Sequence, residues 1–269
     1  MTTPPARARP ASRSDRLWLL PAIPLVLFLC VPIGVLVFRA SPSAFATQLG
    51  ERETLQAIAL SLGTTLAALA ITLVLGLPLA LWLARSRSRL RGIVGLIIDL
   101  PMLIPPAVAG LALLLAFGRR GPFGPLLASM GIELAFTPAA VVLAQVFVSA
   151  PFFIRSARAG LESVDVELIQ AATVDGVSAW GRAMRVLIPL ASPSIAAGAT
   201  MAWARSLGEF GATIIFAGSM PGRTQTMPLA VYLGFETSLD RAIVLSVVMI
   251  SLAIASLVLA RVLAGLTPK

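Results

Sequence analysis

Six long stretches of this chain are almost wholly apolar: Leu17 to Phe38, Leu55 to Leu83, Leu100 to Phe117, Pro138 to Ile154, Ser194 to Ala217 and Ala242 to Leu263. Each approaches or exceeds the roughly 17 residues a helix needs to cross hydrocarbon. Inside a bilayer every backbone amide and carbonyl must be satisfied within protein, so such runs are expected to be helical. A soluble fold is excluded by composition, with 58% hydrophobic and only 12% charged residues. The expectation is an all-α, multi-pass protein of the cell (cytoplasmic) membrane, with six transmembrane helices in contact with lipid. Residues 1–16 are rich in Arg, Pro, Ser and Ala and read as a disordered cytoplasmic tail, leaving 17–269 as one membrane domain. The first run could pass for a signal peptide, because Ala44-Phe45-Ala46 mimics a cleavage site. Its apolar part exceeds the roughly 7 to 15 residues of a signal core, which favours an uncleaved span.

The net charge of +9 could suggest nucleic acid, but its placement argues for topology instead. Basic residues sit at the ends of the apolar runs. With the N-terminus inside, Arg7, Arg9, Arg13, Arg16, Arg85, Arg87, Arg89, Arg91, Arg155, Arg158, Arg182, Arg185, Arg261 and Lys269 all face the cytoplasm. Only Arg39, Arg52, Arg119, Arg120, Arg223 and Arg241 face outward, and Arg205 lies within the fifth run. The positive-inside rule then places both termini in the cytoplasm. No nucleic-acid partner is expected.

Several chemistries are poorly supplied. Histidine is absent and Cys30 is the single cysteine, which removes the commonest general base and metal ligand and any internal disulfide. No catalytic, cofactor or metal residues are expected. Asp99 is the only acidic residue in the neighbourhood of the third run, and no partner for it is evident from sequence. A phosphate-binding loop needs a Gly-Lys pair, and the one lysine is Lys269. Pro101, Pro105 and Pro106 cluster in the third run, where they predict a kink that either packs against neighbours or lines a path.

Between the fourth and fifth runs lies a charged segment, residues 160–189, on the cytoplasmic side. Asp165 can cap a short helix with Glu167 in its first turn. Ala171 and Ala172 give that helix a small, flat face, and Gly176 can end it in the left-handed conformation. Ser178 can cap a second helix carrying Trp180, Met184 and Val186 toward Pro189. Taken alone, Ala-Ala and Gly read as an amphipathic connector whose alanines are ordinary helix filling.

The spacing of Gln170-Ala171-Ala172, three residues, Gly176, nine residues and Val186-Leu187-Ile188-Pro189 resembles the EAA loop of ABC-importer permeases. The family pattern is Glu-Ala-Ala, three residues, Gly, nine residues and Ile-x-Leu-Pro; Gln170, Val186 and Ile188 depart from it. The resemblance implies that Asp165, Gln170, Ala171, Ala172, Gly176, Ile188 and Pro189 form a coupling loop docked in a cleft of a separate ATPase. ATP and magnesium would be bound by that partner, not by this chain.

In the fifth run Arg205 and Glu209 stand four apart, on one face of a helix, and Gly208 and Gly211 let the backbone approach a neighbour or break the helix locally. Ionisable residues at that depth face a partner or a water-filled path. An internal ion pair and a direct substrate contact both remain open. The run Ala204-Arg205-Ser206-Leu207-Gly208-Glu209-Phe210-Gly211-Ala212 is similar to that of molybdate and sulfate permeases among ABC importers. Its continuation, through Thr213-Ile214 and Pro221-Gly222-Arg223-Thr224-Gln225-Thr226-Met227-Pro228, resembles the molybdate branch. This likeness covers about residues 50–263. It implies a type I importer permease fold, a permease homodimer, ABC ATPase subunits, an extracytoplasmic molybdate-binding protein and a path along the dimer axis. Arg205, Ser206, Glu209, Thr213, Arg223 and Thr224 are candidate pathway or gate residues; Arg223 and Thr224 are otherwise polar residues of an outer loop. The expected function is the permease subunit of an ATP-driven molybdate importer, not an enzyme. A sulfate or thiosulfate importer permease is the alternative. A membrane-embedded enzyme lacks the catalytic groups, and a channel has no use for such a loop.

Overall fold

The computed structural model describes residues 13–265. Residues 1–12, most of the stretch expected as a tail, lie outside the described residues, as does Lys269; helix already begins at Arg13. Fourteen α-helices are present among the described residues. Four are long and apolar enough to cross a bilayer unaided: α1 (Arg13–Arg39), α3 (Arg52–Arg85), α7 (Pro138–Glu162) and α14 (Leu239–Gly265). Between the first two lies α2 (Pro42–Gly50), a short helix that takes in the cleavage-like Ala44-Phe45-Ala46.

The third and fifth apolar runs are broken rather than continuous. α4 (Leu90–Leu103) and α5 (Pro106–Phe117) meet at 115°. The cause is local. A residue preceding proline is driven out of the helical region, and both Ile104 (ψ 143°) and Pro105 (ψ 139°) precede one. α4 also starts ten residues before the expected Leu100, so Asp99 lies inside it. The fifth run comprises α11 (Ser192–Leu207), a break at Gly208–Phe210, and α12 (Gly211–Phe216). Counting α4–α5 as one span, and α11 with the helical segment before it as another, gives six.

Helix packing follows the small residues. The buried face of α3 reads Ala57, Ser61, Thr65, Ala68, Thr72, Gly76, Ala80 and Leu83, a spacing of three to four that keeps one stripe toward α7. Small side chains let membrane helices approach closely. At Gly76 an added Cβ would sit 2.9 Å from the ring of Phe153 on α7. On the other flank of α7, a Cβ at Gly198 of α11 would sit 2.8 Å from Ser156 Cβ, and Ser156 Oγ donates to Ser194 O at 2.8 Å. Helix α7 is thus the central post, with Phe153, Ala157 and Leu161 fully buried. By contrast, Leu25, Phe28 and Leu29 of α1 are more than half exposed, as lipid-facing side chains are.

A helix not expected from the sequence, α13 (Met227–Thr237), follows the loop after the fifth run. Pro228 suits its first turn, and the orphan amide of Met227 donates to Ser61 Oγ of α3 at 2.7 Å. Met227 and Ala230 pack there on Ala57, Leu207 and Leu245.

Candidate coupling loop and membrane pathway

The loop is built by capping. Helix α7 stops at Glu162, and α8 (Val166–Val174) begins where Asp165 Oδ1 accepts from Glu167 N at 3.0 Å. At the other end Gly176 has φ +74°. Gly176 N donates to Thr173 O at 3.1 Å and Val177 N to Ala172 O at 3.0 Å, the paired bonds of a Schellman cap. The interval from Ala172 to Gly176 is the interval this cap requires. Ser178 Oγ then accepts from Gly181 N at 3.1 Å to start α9 (Ala179–Arg182), and Arg182 Nη1 donates back to Val177 O at 2.6 Å. Residues Ala183–Leu187 form a wide π-helical turn, leading into α10 (Ile188–Leu190). Ile188 N bonds Ala183 O across that turn, and Pro189 follows with no amide to offer. Ser192 is the first residue of α11, and its hydroxyl donates to Pro189 O at 2.7 Å.

Asp165, Gln170, Ala171 and Gly176 are exposed, Ala172 and Ile188 half-buried, and Pro189 exposed. More telling are the large apolar side chains. Val174 is 87% exposed and Trp180 72% exposed, with Val166, Leu168 and Met184 also exposed. Val166, Leu168 and Val174 belong to α8, which no candidate span includes, and large apolar side chains exposed on such a charged segment are what a protein contact surface presents.

In the fifth run, Arg205 and Glu209 do not share one helix, because α11 ends at Leu207. They still meet: Arg205 Nη1 lies 2.8 Å from Glu209 Oε2, with the Glu209 side chain 1% and that of Arg205 30% exposed. The other carboxylate oxygen accepts from Ala212 N at 2.7 Å. Glu209 therefore satisfies an orphan amide at the start of α12 while holding the last turn of α11. The two side chains thus form an ion pair across the break between α11 and α12. Ser206 is buried with its hydroxyl donating to Trp203 O at 2.8 Å; Thr213 is fully buried and its hydroxyl has no partner among the described residues. Beyond the break, α12 lies very close to α5. A Cβ at Gly110 would sit 2.6 Å from Ala212 O, and one at Gly211 2.7 Å from Pro106 Cβ.

In the loop between α12 and α13, Arg223 is exposed and lines a cavity of about 990 Å³ with Arg119, Arg120, Glu133, Phe136 and Met220. Arg119 Nη2 bonds both oxygens of Glu133 at 2.8 and 2.9 Å, which holds the Arg119 guanidinium above its ordinary pKa. Thr224, in contrast, is buried, and its hydroxyl accepts from Met220 N at 3.0 Å, so it closes the turn rather than facing the cavity. Sequence reasoning missed the convergence of Arg119 and Arg120 with Arg223; their outward placement against the general arginine bias was the available signal. It missed Phe136 too, whose φ is +61° and whose amide donates to Phe216 O at the end of α12 at 3.1 Å. Asp99 does have a partner, Arg155 of α7 at 3.7 Å. Among the described residues no group of acidic or cysteine side chains could hold a metal ion.

The sequence pattern of the family described as binding-protein-dependent transport system inner membrane component matches residues 76–267. The chain is 40% identical over 234 residues to the molybdenum transport system permease protein ModB of Mycobacterium tuberculosis, covering 87% of this chain and 89% of that one. It is 35% identical over 219 residues to the sulfate transport system permease protein CysW of Synechococcus elongatus, covering 80% and 77%. Its fold matches a chain of a bacterial alginate ABC transporter solved with an alginate pentasaccharide-bound periplasmic protein. That match has a TM-score of 0.72 at 20% identity, over 93% of each chain.

Proposed function

The chain belongs to the family of binding-protein-dependent transport system inner membrane components, and on that premise we propose that it is the permease subunit of an ATP-driven molybdate importer. It is a multi-pass protein of the cytoplasmic membrane with the ABC-importer permease fold. It is not itself an enzyme; ATP hydrolysis belongs to a separate chain. The observation that carries the cargo is the 40% identity, over most of both chains, to a molybdenum transport permease. The 35% identity to a sulfate permease supports a second reading with the same architecture and a different oxyanion.

Both termini and the 160–189 segment are assigned to the cytoplasm on the arginine distribution. The exposed apolar face of α8 and α9, around Val174 and Trp180, is the surface offered to the ATPase, which binds ATP and magnesium. Two copies of the permease enclose the path, and a binding protein delivers the anion from outside. ATP binding draws the ATPase subunits together and moves the loops with them. The spans then rock outward to accept the anion, and hydrolysis resets the inward-facing state. In the permease the six candidate pathway or gate residues divide by geometry. Arg205, Ser206, Glu209 and Thr213 set the shape of the broken fifth span. Arg223 contributes, with Arg119 and Arg120, donors suited to oxyanions at the outer mouth, and Thr224 braces the loop that carries it.

The deciding measurement is uptake of labelled molybdate by cells expressing the chain with its ATPase and binding protein, with and without excess sulfate. ATP-dependent uptake that resists sulfate is expected. Uptake that sulfate abolishes would transfer the system to sulfate, and ATP-independent flux would refute the importer reading.

A further inference from the structure

Glu162 is the last residue of α7, where the chain turns into the loop, and its carboxylate lies between two arginines. Arg158 Nε is 2.9 Å away, one turn back on α7, and Arg91 Nη2 of α4 is 3.1 Å away. A second pair joins the same two helices, Arg155 Nε to Asp99 Oδ1 at 3.7 Å. No residue of α4 is fully buried, and its Leu96, Ile97, Leu100 and Leu103 are all more than half exposed. Only Val94 and Ile98 on its inner face pack against the core between α3 and α7, so the two ion pairs have a large say in where this helix points. A cavity of about 270 Å³ between α4 and α7 leaves room for a change of angle. The end of α3 is tied to the same turn of α7 by Arg85 Nη2 donating to Leu161 O at 2.6 Å.

Past the Pro105 corner α4 continues into α5, which is in close contact with α12. A displacement of the end of α7 thus has a contiguous route to the broken fifth span. We infer that Glu162 is a positioning residue that transmits motion of the coupling loop to α4, and through it to α5 and α12. The inference rests on the reading of the loop as the ATPase contact. Exposure supports a moving part. With side chains 39% and 37% exposed, Arg91 and Glu162 can separate and re-pair without stranding a buried charge. An ion pair sealed in the core could not.

The test uses the full complex of permease, ATPase and binding protein in liposomes, reading anion uptake and ATP hydrolysis together, with the amount of permease measured in each preparation. Glu162→Gln and Arg91→Glu are each expected to lower anion moved per ATP by roughly two- to fivefold, the range over which an exposed ion pair can shift an equilibrium. ATP hydrolysis and permease amount should stay near wild type. Glu162→Asp, which keeps a negative charge between Arg91 and Arg158, should retain more of the coupling than Glu162→Gln. Unchanged coupling in both Glu162→Gln and Arg91→Glu would overturn the inference, and so would parallel loss of permease, hydrolysis and uptake, which marks a merely structural pair. Failure of the wild-type complex to couple uptake to ATP would instead count against the importer reading itself.

Discussion

Glu209 has both of its carboxylate oxygens engaged, one by Arg205 and one by the amide of Ala212, in a side chain that is 1% exposed. Removing either partner has unequal consequences. Arg205→Ala strands a buried carboxylate with one remaining donor, whereas Glu209→Gln leaves an acceptor for Ala212 and an Arg205 that is itself only partly buried. Breaking a buried pair by deleting one partner costs several kcal/mol, and the partial exposure of Arg205 reduces that here. Arg205→Ala is expected to destabilise by about 2–4 kcal/mol and Glu209→Gln by about 1–2 kcal/mol. The double variant should cost less than their sum, because neighbours that share one network are not additive. Thermal unfolding of the detergent-purified permease checks this. A normal unfolding midpoint for Arg205→Ala, together with lost uptake, would return Arg205 to the role of a pathway residue.

At the scale of elements, what could be read from sequence was what is decided locally. Asp165, Gly176 and Ser178 act within a few residues of themselves, and each caps where its spacing predicts. The α4–α5 corner is likewise local, since Pro105 and Pro106 impose extended backbone on their predecessors, though its sharpness was not legible. A local break at Gly208 and Gly211 was one of two readings the sequence offered; that the break is realised there depends on a side-chain cap from Glu209 and on α5 lying against Gly211. Helix α13 was missed for a similar reason: its first amide is satisfied by Ser61, 166 residues away in sequence. The locality of the loop makes it separable from the rest. Gly176→Ala forces a Cβ into left-handed backbone at roughly 1–2 kcal/mol, loosening the Schellman cap without touching the spans. Gly176→Pro, or a bulky residue at Ala171, should uncouple ATP hydrolysis from uptake while the protein remains in the membrane at normal amount. Comparing hydrolysis with uptake in membrane vesicles checks this, and full transport by both variants would remove the coupling role from the loop.

For the whole molecule, orientation decides whether these parts can work together. The loop must face the compartment that holds ATP, and the Arg119, Arg120 and Arg223 mouth must face the binding protein. Helix packing alone does not choose, since an inverted bundle would bury the same Ala, Gly and Ser contacts between α3, α7 and α11. The choice comes from charge. With the N-terminus assigned to the inside, the sequence puts fourteen basic residues on the side of the termini and loop against six on the other, and arginine-rich ends resist translocation. Cys30 offers a clean way to measure the outcome, because it is the only cysteine and can be replaced by serine. Two single-cysteine reporters then suffice: Thr173→Cys in α8 and Pro221→Cys in the outer loop, both at exposed positions. A membrane-impermeant maleimide applied to spheroplasts is expected to label the Pro221→Cys protein at once. The Thr173→Cys protein should be labelled only after permeabilisation. The reverse pattern would place the apolar face around Val174 and Trp180 outside the cell, where no ATPase could reach it. The coupling assignment for the loop and for Glu162 would then fall together, leaving the ion pairs of α4 and α7 as surface contacts.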